Sequence, residues 1–448
     1  MSKHFLSCLG FCLLGFTAQA QWVYQPISGI STQAAPLFLD AIDANTAWGV
    51  SVGENAYVVP QLVRTTNAGQ TWTVTNLPVS APVGEDATAM AAVSATTAWV
   101  TTANILGSGG RILRTTDSGQ TWTTQSSATV FGNADSYPSL IRFFSATEGV
   151  ALGGKISGQT TFEGYVTADA GQTWTPLATL PTLLANEDIM PGVPAIQGNT
   201  IWFLTSQGRV FRSRDKGLTW TATAVASNLT DPTSIAFRDA QNGLVSVLDE
   251  SSTNHQLYQT TNGGTNWTSV AYTGPLHGGG LSAVPGTTEF VSTGADLDNG
   301  DQGSSFTRDN GQTWISLENT RNHLGVEFVS ATVGWSGGFA FGSGTQLTGG
   351  VNRYAGTALA TRTDAALQAS LSVSPNPATG GRFMLQTSRN TSSASTVRVL
   401  DVAGRLVQQQ AWNGSTALAL DLSTEPAGLY VLEVQGASGT ARQKVVVQ

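Results

Sequence analysis

A seven-residue segment recurs six times at a nearly constant interval, and no other feature limits the possible folds of this chain as strongly. The copies are Thr66-Asn67-Ala68-Gly69-Gln70-Thr71-Trp72, Thr116-Asp117-Ser118-Gly119-Gln120-Thr121-Trp122 and Ala168-Asp169-Ala170-Gly171-Gln172-Thr173-Trp174. They continue as Arg214-Asp215-Lys216-Gly217-Leu218-Thr219-Trp220, Thr261-Asn262-Gly263-Gly264-Thr265-Asn266-Trp267 and Arg308-Asp309-Asn310-Gly311-Gln312-Thr313-Trp314. Successive glycines lie 46 to 52 residues apart. A period of that size with strand-like flanks predicts four-stranded blades arranged as a β-propeller, since one repeat buries its apolar faces only against its neighbours.

Each position in the segment has a mechanical reason. The Asp or Asn side chain accepts hydrogen bonds from backbone N–H groups a few residues on, closing an Asx-type turn, and the glycine takes positive φ without a Cβ clash. The following Thr returns the chain to extended geometry, and Trp opens the next strand with a large face to pack between sheets. Six identical corners suit a repeat; six copies of one catalytic site would not. The blades can also be counted from the apolar strand pairs upstream of the corners, beginning at Phe38 to Val52 and ending at Val326 to Phe339, which number seven. The seventh pair has no corner after it, whereas Gln21-Trp22-Val23-Tyr24-Gln25-Pro26 resembles an outermost strand without a corner before it. Ring closure by the N-terminal strand reconciles the two and leaves no open sheet edge.

The corners resemble the Asp boxes, or BNR repeats, of sialidase-type propellers, whose pattern is Ser/Thr-x-Asp-x-Gly-x-Thr-Trp, with Asn67 and Asn262 standing for Asp here. The resemblance covers most of residues 21–355. It implies that each box lies on the turn between the third and outermost strands, away from the functional face. Seven-bladed assembly factors of photosystem II use similar repeats, which implies a propeller that holds a protein partner without catalysis. Arg64, Arg114 and Arg212 recur five residues before their box glycines, but Val166, Gln259 and Phe306 hold the matching places elsewhere, so no continuous basic patch is expected.

Met1 to Ala20 carries Lys3 and His4 before an apolar run from Phe5 to Phe16 and ends on Ala18-Gln19-Ala20, which reads as a secretory signal peptide. Both cysteines, Cys8 and Cys12, lie inside it, so the mature chain is expected to lack disulfides, thiolate metal sites and cysteine nucleophiles. Charged residues make up 11% of the chain, against about 25% in ordinary soluble domains, and the formal net charge is −8. Nucleic acid and anionic membrane surfaces are therefore not expected partners, and no later apolar run reaches the length of a membrane span.

Composition shifts after Tyr354. Gly356 to Ser370 reads as a linker, and residues 371–448 as a small C-terminal β-sandwich of period-two strands. Its landmarks are Leu371-Ser372-Val373-Ser374-Pro375-Asn376-Pro377, the turn Asp401-Val402-Ala403-Gly404, Gly428-Leu429-Tyr430 and Lys444-Val445-Val446-Val447. In order and spacing they resemble the type A C-terminal sorting domain of type IX secretion. That resemblance implies the type IX machinery as a partner, passage through the periplasm, and a product released or held at the outer cell surface.

Loops opposite the boxes form the default ligand face. It is expected to gather Glu85, Asp86, Tyr137, Glu187, Asp188, Asp231, His277, Arg321 and His323 from one loop set, and Glu54, Lys155, Glu163 and His255 from the other. Paired carboxylates could hydrolyse a glycosidic bond, the candidates being Glu85 or Asp86 against Glu187 or Asp188. Sialidase chemistry is not expected, because no Arg-Ile-Pro occurs and Arg64 is the first arginine after the signal peptide. Xyloglucan-cleaving relatives use two such propellers, and this chain has length for one. Asp296, Asp298 and Asp301 offer oxygens to calcium, although their spacing departs from a calcium loop and an ordinary hairpin explains them as well. The histidines lack zinc spacing and are assigned to loops, and no phosphate-binding glycine motif occurs, so no cofactor is expected. The expectation is therefore a secreted or surface propeller acting as a non-catalytic binding platform for a glycan or protein. Its alternative is a glycoside hydrolase or polysaccharide-degradation accessory protein working through the acidic face.

Overall fold

The computed structural model describes residues 21–53, 58–79, 84–104, 109–248, 254–296, 300–341, 347–356, 365–388, 395–401, 406–412, 417–436 and 439–448. The signal-peptide reading, Glu54, Asp298 and the turn after Asp401 fall outside them. The protein is all-β, with seven four-stranded antiparallel blades followed by a two-sheet C-terminal unit. Blade one runs outward through Ala34–Ala41, Ala47–Gly53, Gln61–Thr65 and Thr73–Asn76. The innermost strands of blades two to six are Glu85–Ala92, Pro138–Phe143, Ala195–Gln197, Ser234–Phe237 and Gly280–Ala283. Second strands such as Gly149–Gly153 and Gly243–Val247 are buried on both faces, because a neighbouring blade covers each side.

Blade seven is assembled from both ends of the propeller. Asn322–Ser330, Val333–Phe341 and Leu347–Tyr354 form its inner three strands, and Trp22–Pro26 adds the outermost one in antiparallel register from Trp22 opposite Tyr354 to Pro26 opposite Gly350. The Ala355 N–H donates to the Gln21 carbonyl at 2.8 Å, extending the seam by one more bond. No strand edge is left bare where the ring begins and ends.

The six corners share one hydrogen-bonding pattern. The Thr or Ser hydroxyl two residues before the Asp or Asn donates to its side chain at 2.7 to 3.0 Å and accepts the glycine N–H at 2.8 to 3.0 Å. The Asp or Asn Oδ1 then accepts the N–H four residues on at 2.9 to 3.0 Å. The glycine and the residue before it both have positive φ, as in Lys216 at 60° and Gly217 at 90°. In blades one to five the N–H of that preceding residue donates to the hairpin between the first and second strands, for example Ala68 to the Asn45 carbonyl at 2.9 Å. The corner therefore fixes its own turn and ties the outer half of a blade to the inner half.

The corner tryptophans are buried or half-buried and pack toward the preceding blade. Trp72 of blade one meets Trp335 of blade seven edge to face at 6.0 Å. A second, wholly buried tryptophan series lies on the second strands: Trp48, Trp99, Trp202 and Trp335. Arg64, Arg114, Arg212 and Arg353 stand directly opposite them in register. Three of these guanidiniums cover the indole at 5.1 to 5.4 Å. The recurring arginines are thus spent on cation–π packing and carbonyl bonds to the next blade, as in Arg64 Nε to Ala95 O at 2.6 Å and Arg212 Nη1 to Gly263 O at 2.7 Å.

The C-terminal unit pairs Leu371–Ser374, Arg382–Thr387 and Leu418–Asp421 in one sheet, and Leu406–Trp412, Ser395–Leu400, Gly428–Gly436 and Gly439–Val447 in the other. Its core contains Leu385, Val397, Trp412, Leu432 and Val445. The expected linker is corrected in its last part: Ala365–Ser370 is a short helix, and Leu367 is buried in the sandwich core.

Candidate functional site

The corners and first hairpins occupy one end of the ring, so the remaining loops crown the other. There the central channel widens into a cavity of about 570 Å³, within the range of small-ligand pockets. Its wall comes from blades one, five, six and seven and from Met190–Val193, the segment that leads into blade four. Phe38, Val193, Leu248, Leu281, Leu324 and Val326 are among its apolar lining, and Thr233, Ser234, Asp301 and His323 supply side-chain polar groups. Those polar groups already bond within the protein. Thr233 Oγ1 donates to Gly278 O at 2.8 Å and Ser234 Oγ accepts the Leu281 N–H at 2.8 Å.

His255 and His277 lie in loop segments and His323 on the first strand of blade seven, and all three are buried. Asp301 Oδ1 meets His255 Nε2 at 3.1 Å and His277 Nδ1 at 3.0 Å, and its Oδ2 accepts the Gly278 N–H at 2.9 Å. Burial raises the Asp301 carboxyl, but the two imidazoles and the N–H outweigh it and hold the group below its ordinary value. Asp301 thus faces the histidines, and Asp296 Oδ1 accepts the Gly300 N–H at 2.9 Å. Among the described residues no set of three His, Cys, Asp or Glu side chains is arranged to hold a metal ion.

His323 joins Ser336 and Glu318. Its Nδ1 lies 2.7 Å from Ser336 Oγ and its Nε2 2.9 Å from Glu318 Oε1. Burial pushes the imidazole down, against the pull of Glu318. The Glu318 carboxyl sits at about 2, since His323 and the Thr320 N–H and hydroxyl overcome its desolvation. Serine, histidine and acid in sequence suggest a nucleophilic triad, but Ser336 is wholly buried on a second strand, where an acyl or glycosyl substrate does not reach it. The trio joins the outermost strand of blade six, through Glu318, to the first two strands of blade seven.

The predicted carboxylates do not converge. Glu85 is clamped by Arg111, with Nε to Oε1 and Nη2 to Oε2 both at 2.6 Å, and lines a separate cleft of about 420 Å³ beside blades two and three. Asp86, raised by burial, lies beside Tyr137. Glu187 is buried, accepting Arg209 Nε at 2.8 Å, Arg209 Nη2, Thr205 Oγ1 at 2.6 Å and the Leu184 N–H at 2.8 Å. Burial alone would raise it, yet these donors hold its carboxyl down, the wrong direction for a general acid. Asp188, Asp231, Lys155 and Tyr137 are exposed, Arg321 is half-buried, and Glu163 is turned inward to the Tyr165 hydroxyl at 2.7 Å. Glu187→Gln is therefore expected to lower stability by about 3 kcal/mol, as breaking a buried ion pair does. Urea melts would show the loss, and glycan turnover by the wild type that this variant abolished would restore Glu187 to a catalytic role.

Residues 372–448 match the family described as the secretion system C-terminal sorting domain. The chain is a β-propeller with a sorting tail. Residues 162–273, from the third strand of blade three to the end of blade five, match the family described as sortilin, neurotensin receptor 3. Two solved structures are similar across the propeller. YCF48 bound to a D1 peptide shares 17% identity over 75% of this chain and 97% of that one, with a TM-score of 0.51. YCF48 from Cyanidioschyzon merolae shares 16% over 74% and 98%, with a TM-score of 0.52. At such identities the likeness is one of fold. No curated protein matches the chain. The sorting tail implies export to the cell surface or the medium, and among the described residues no helix is long and apolar enough to cross a membrane.

Proposed function

We propose that the propeller is a non-catalytic binding platform, carried out of the cell by the type IX machinery, which holds an apolar segment of a protein ligand in its central cavity. The lining carries this reading: the walls are mainly aliphatic, and the polar groups among them already have hydrogen-bond partners. A sugar would leave its hydroxyls facing Leu281, Leu324 and Val326. An aliphatic or aromatic side chain loses nothing there and gains buried area. In keeping with this, one protein of the same fold has been seen with a peptide bound.

The purified protein would be screened against a peptide library, a glycan array and a hydrolysis panel. Peptides with apolar anchors should bind, and Leu324→Arg, which places a charge in the cavity wall, should weaken them at least about tenfold. Glycan binding insensitive to Leu324→Arg would move the ligand to another surface, and glycan turnover would replace the platform by a hydrolase.

A further inference from the structure

At the corner end of the channel, three charged side chains from three blades meet. Arg142 of blade three donates from Nη1 to Asp40 Oδ2 of blade one at 2.5 Å. The same Asp40 oxygen accepts the Ala92 N–H of blade two at 2.8 Å. Glu327 of blade seven accepts the Ala41 N–H of blade one through Oε2, also at 2.8 Å. One chain of bonds thus runs from blade seven through blade one to blades two and three, across the junction where the ring is closed. Among the described residues the Arg142 guanidinium is ion-paired with Asp40, and its Nε is buried without a partner.

We propose that Asp40, Arg142 and Glu327 form a proton-operated latch that holds blade seven to blade one and loosens the ring when Glu327 loses its proton. With both acids ionised, two negative charges face one positive charge at a place where Asp40 and Arg142 are buried and Glu327 is half-buried. The charged groups facing Glu327 are Asp40 and Arg142. At the matching register the innermost strands of blades two, four, five and six carry the uncharged Ala91, Ala195, Ala236 and Ser282. Burial, reinforced by Asp40, pushes the Glu327 carboxyl up from its ordinary value of 4.5 to about 7. A carboxyl raised on folding stabilises the closed state fully below its unfolded value, and that contribution is lost as pH rises through the folded value. Opening should therefore become easier between pH 4.5 and about 7 and then level off. The latch strands also carry Phe38 and Val326, so loosening them would reshape the cavity, a consequence that rests on the binding role proposed above.

The test is hydrogen exchange of the Trp22–Pro26 and Leu347–Tyr354 amides, corrected for the intrinsic pH dependence of exchange, with urea melts over the same pH range. In the wild-type chain the opening equilibrium should rise by up to about tenfold per pH unit within the window. Glu327→Gln, which keeps an oxygen for the Ala41 N–H and cannot ionise, should abolish that rise; Asp40→Asn should shrink it by returning Glu327 toward its ordinary value. Every other ionisable group is common to both proteins and cancels in the difference. An equal pH slope in wild type and Glu327→Gln would overturn the latch, and so would a Glu327-dependent slope spread evenly over all seven blades with none concentrated at the seam. Peptide screening failure with the slope intact would remove only the consequence for the cavity.

Discussion

Replacing Trp22 by alanine should cost the ring about 3 to 5 kcal/mol, the range for deleting a large buried aromatic. Trp22 has no exposed surface and lies edge to face against His323 at 4.8 Å, Tyr354 at 5.3 Å and Phe328 at 5.8 Å. Its indole nitrogen has no hydrogen-bond partner, so the loss is one of packing. The consequence exceeds a single cavity, because Trp22 anchors the strand that pairs with Leu347–Tyr354. A weakened strand bares that edge to another chain and invites association. Urea or thermal unfolding, together with light scattering, would measure both effects. Val23→Ala is the control: its side chain is 45% exposed on the same strand, and the change should stay within about 0.5 kcal/mol. A Trp22→Ala protein that melts with the wild type would show that the N-terminal strand does not hold the ring.

Removal of residues 365–448 should abolish appearance in the medium or on the surface and leave a folded propeller in the periplasm. The sandwich core and the seven clusters between blades share no residue, so the propeller does not depend on the tail for its apolar packing. The deletion starts at Ala365 and not at Leu371, because the helix that precedes the first strand belongs to the sandwich. Leu385→Asp inside the full-length chain offers a sharper version. Leu385 is fully buried, and a carboxylate there should unfold the sandwich and block export to nearly the same extent. Cell fractionation decides the matter, and normal release of the truncated protein would remove type IX export from the account.

Much of the architecture could be read locally. A corner such as Thr65 to Trp72 closes its hydrogen bonds within seven residues, so spacing along the chain is spacing in space. Trp22 and Tyr354 could be paired from afar only because each was the odd half of a repeated unit. The Trp48–Arg64 and Trp99–Arg114 pairs left a fainter signal, since the loop between the second and third strands varies in length and blurs their interval. His255, His277 and Asp301 left none: their convergence depends on where three loops of different length end. The carboxylates misled for a related reason. Glu187 sits in an acidic, loop-like stretch, but Arg209, from the third strand of its own blade, turns it into an interior ion pair.

The order of residues along the chain therefore settled the number of blades, the geometry of each corner, the closure of the ring and the presence of a sorting tail, because all of these are repeated or contiguous patterns. Folding alone decided what lines the channel. Asp40, Arg142 and Glu327 are separated by 102 residues between the first pair and 286 between Ala41 and Glu327, and they meet only when blade seven closes onto blade one. Once they meet, the low dielectric of a closed ring gives a carboxyl that is unremarkable in the sequence its raised affinity for a proton.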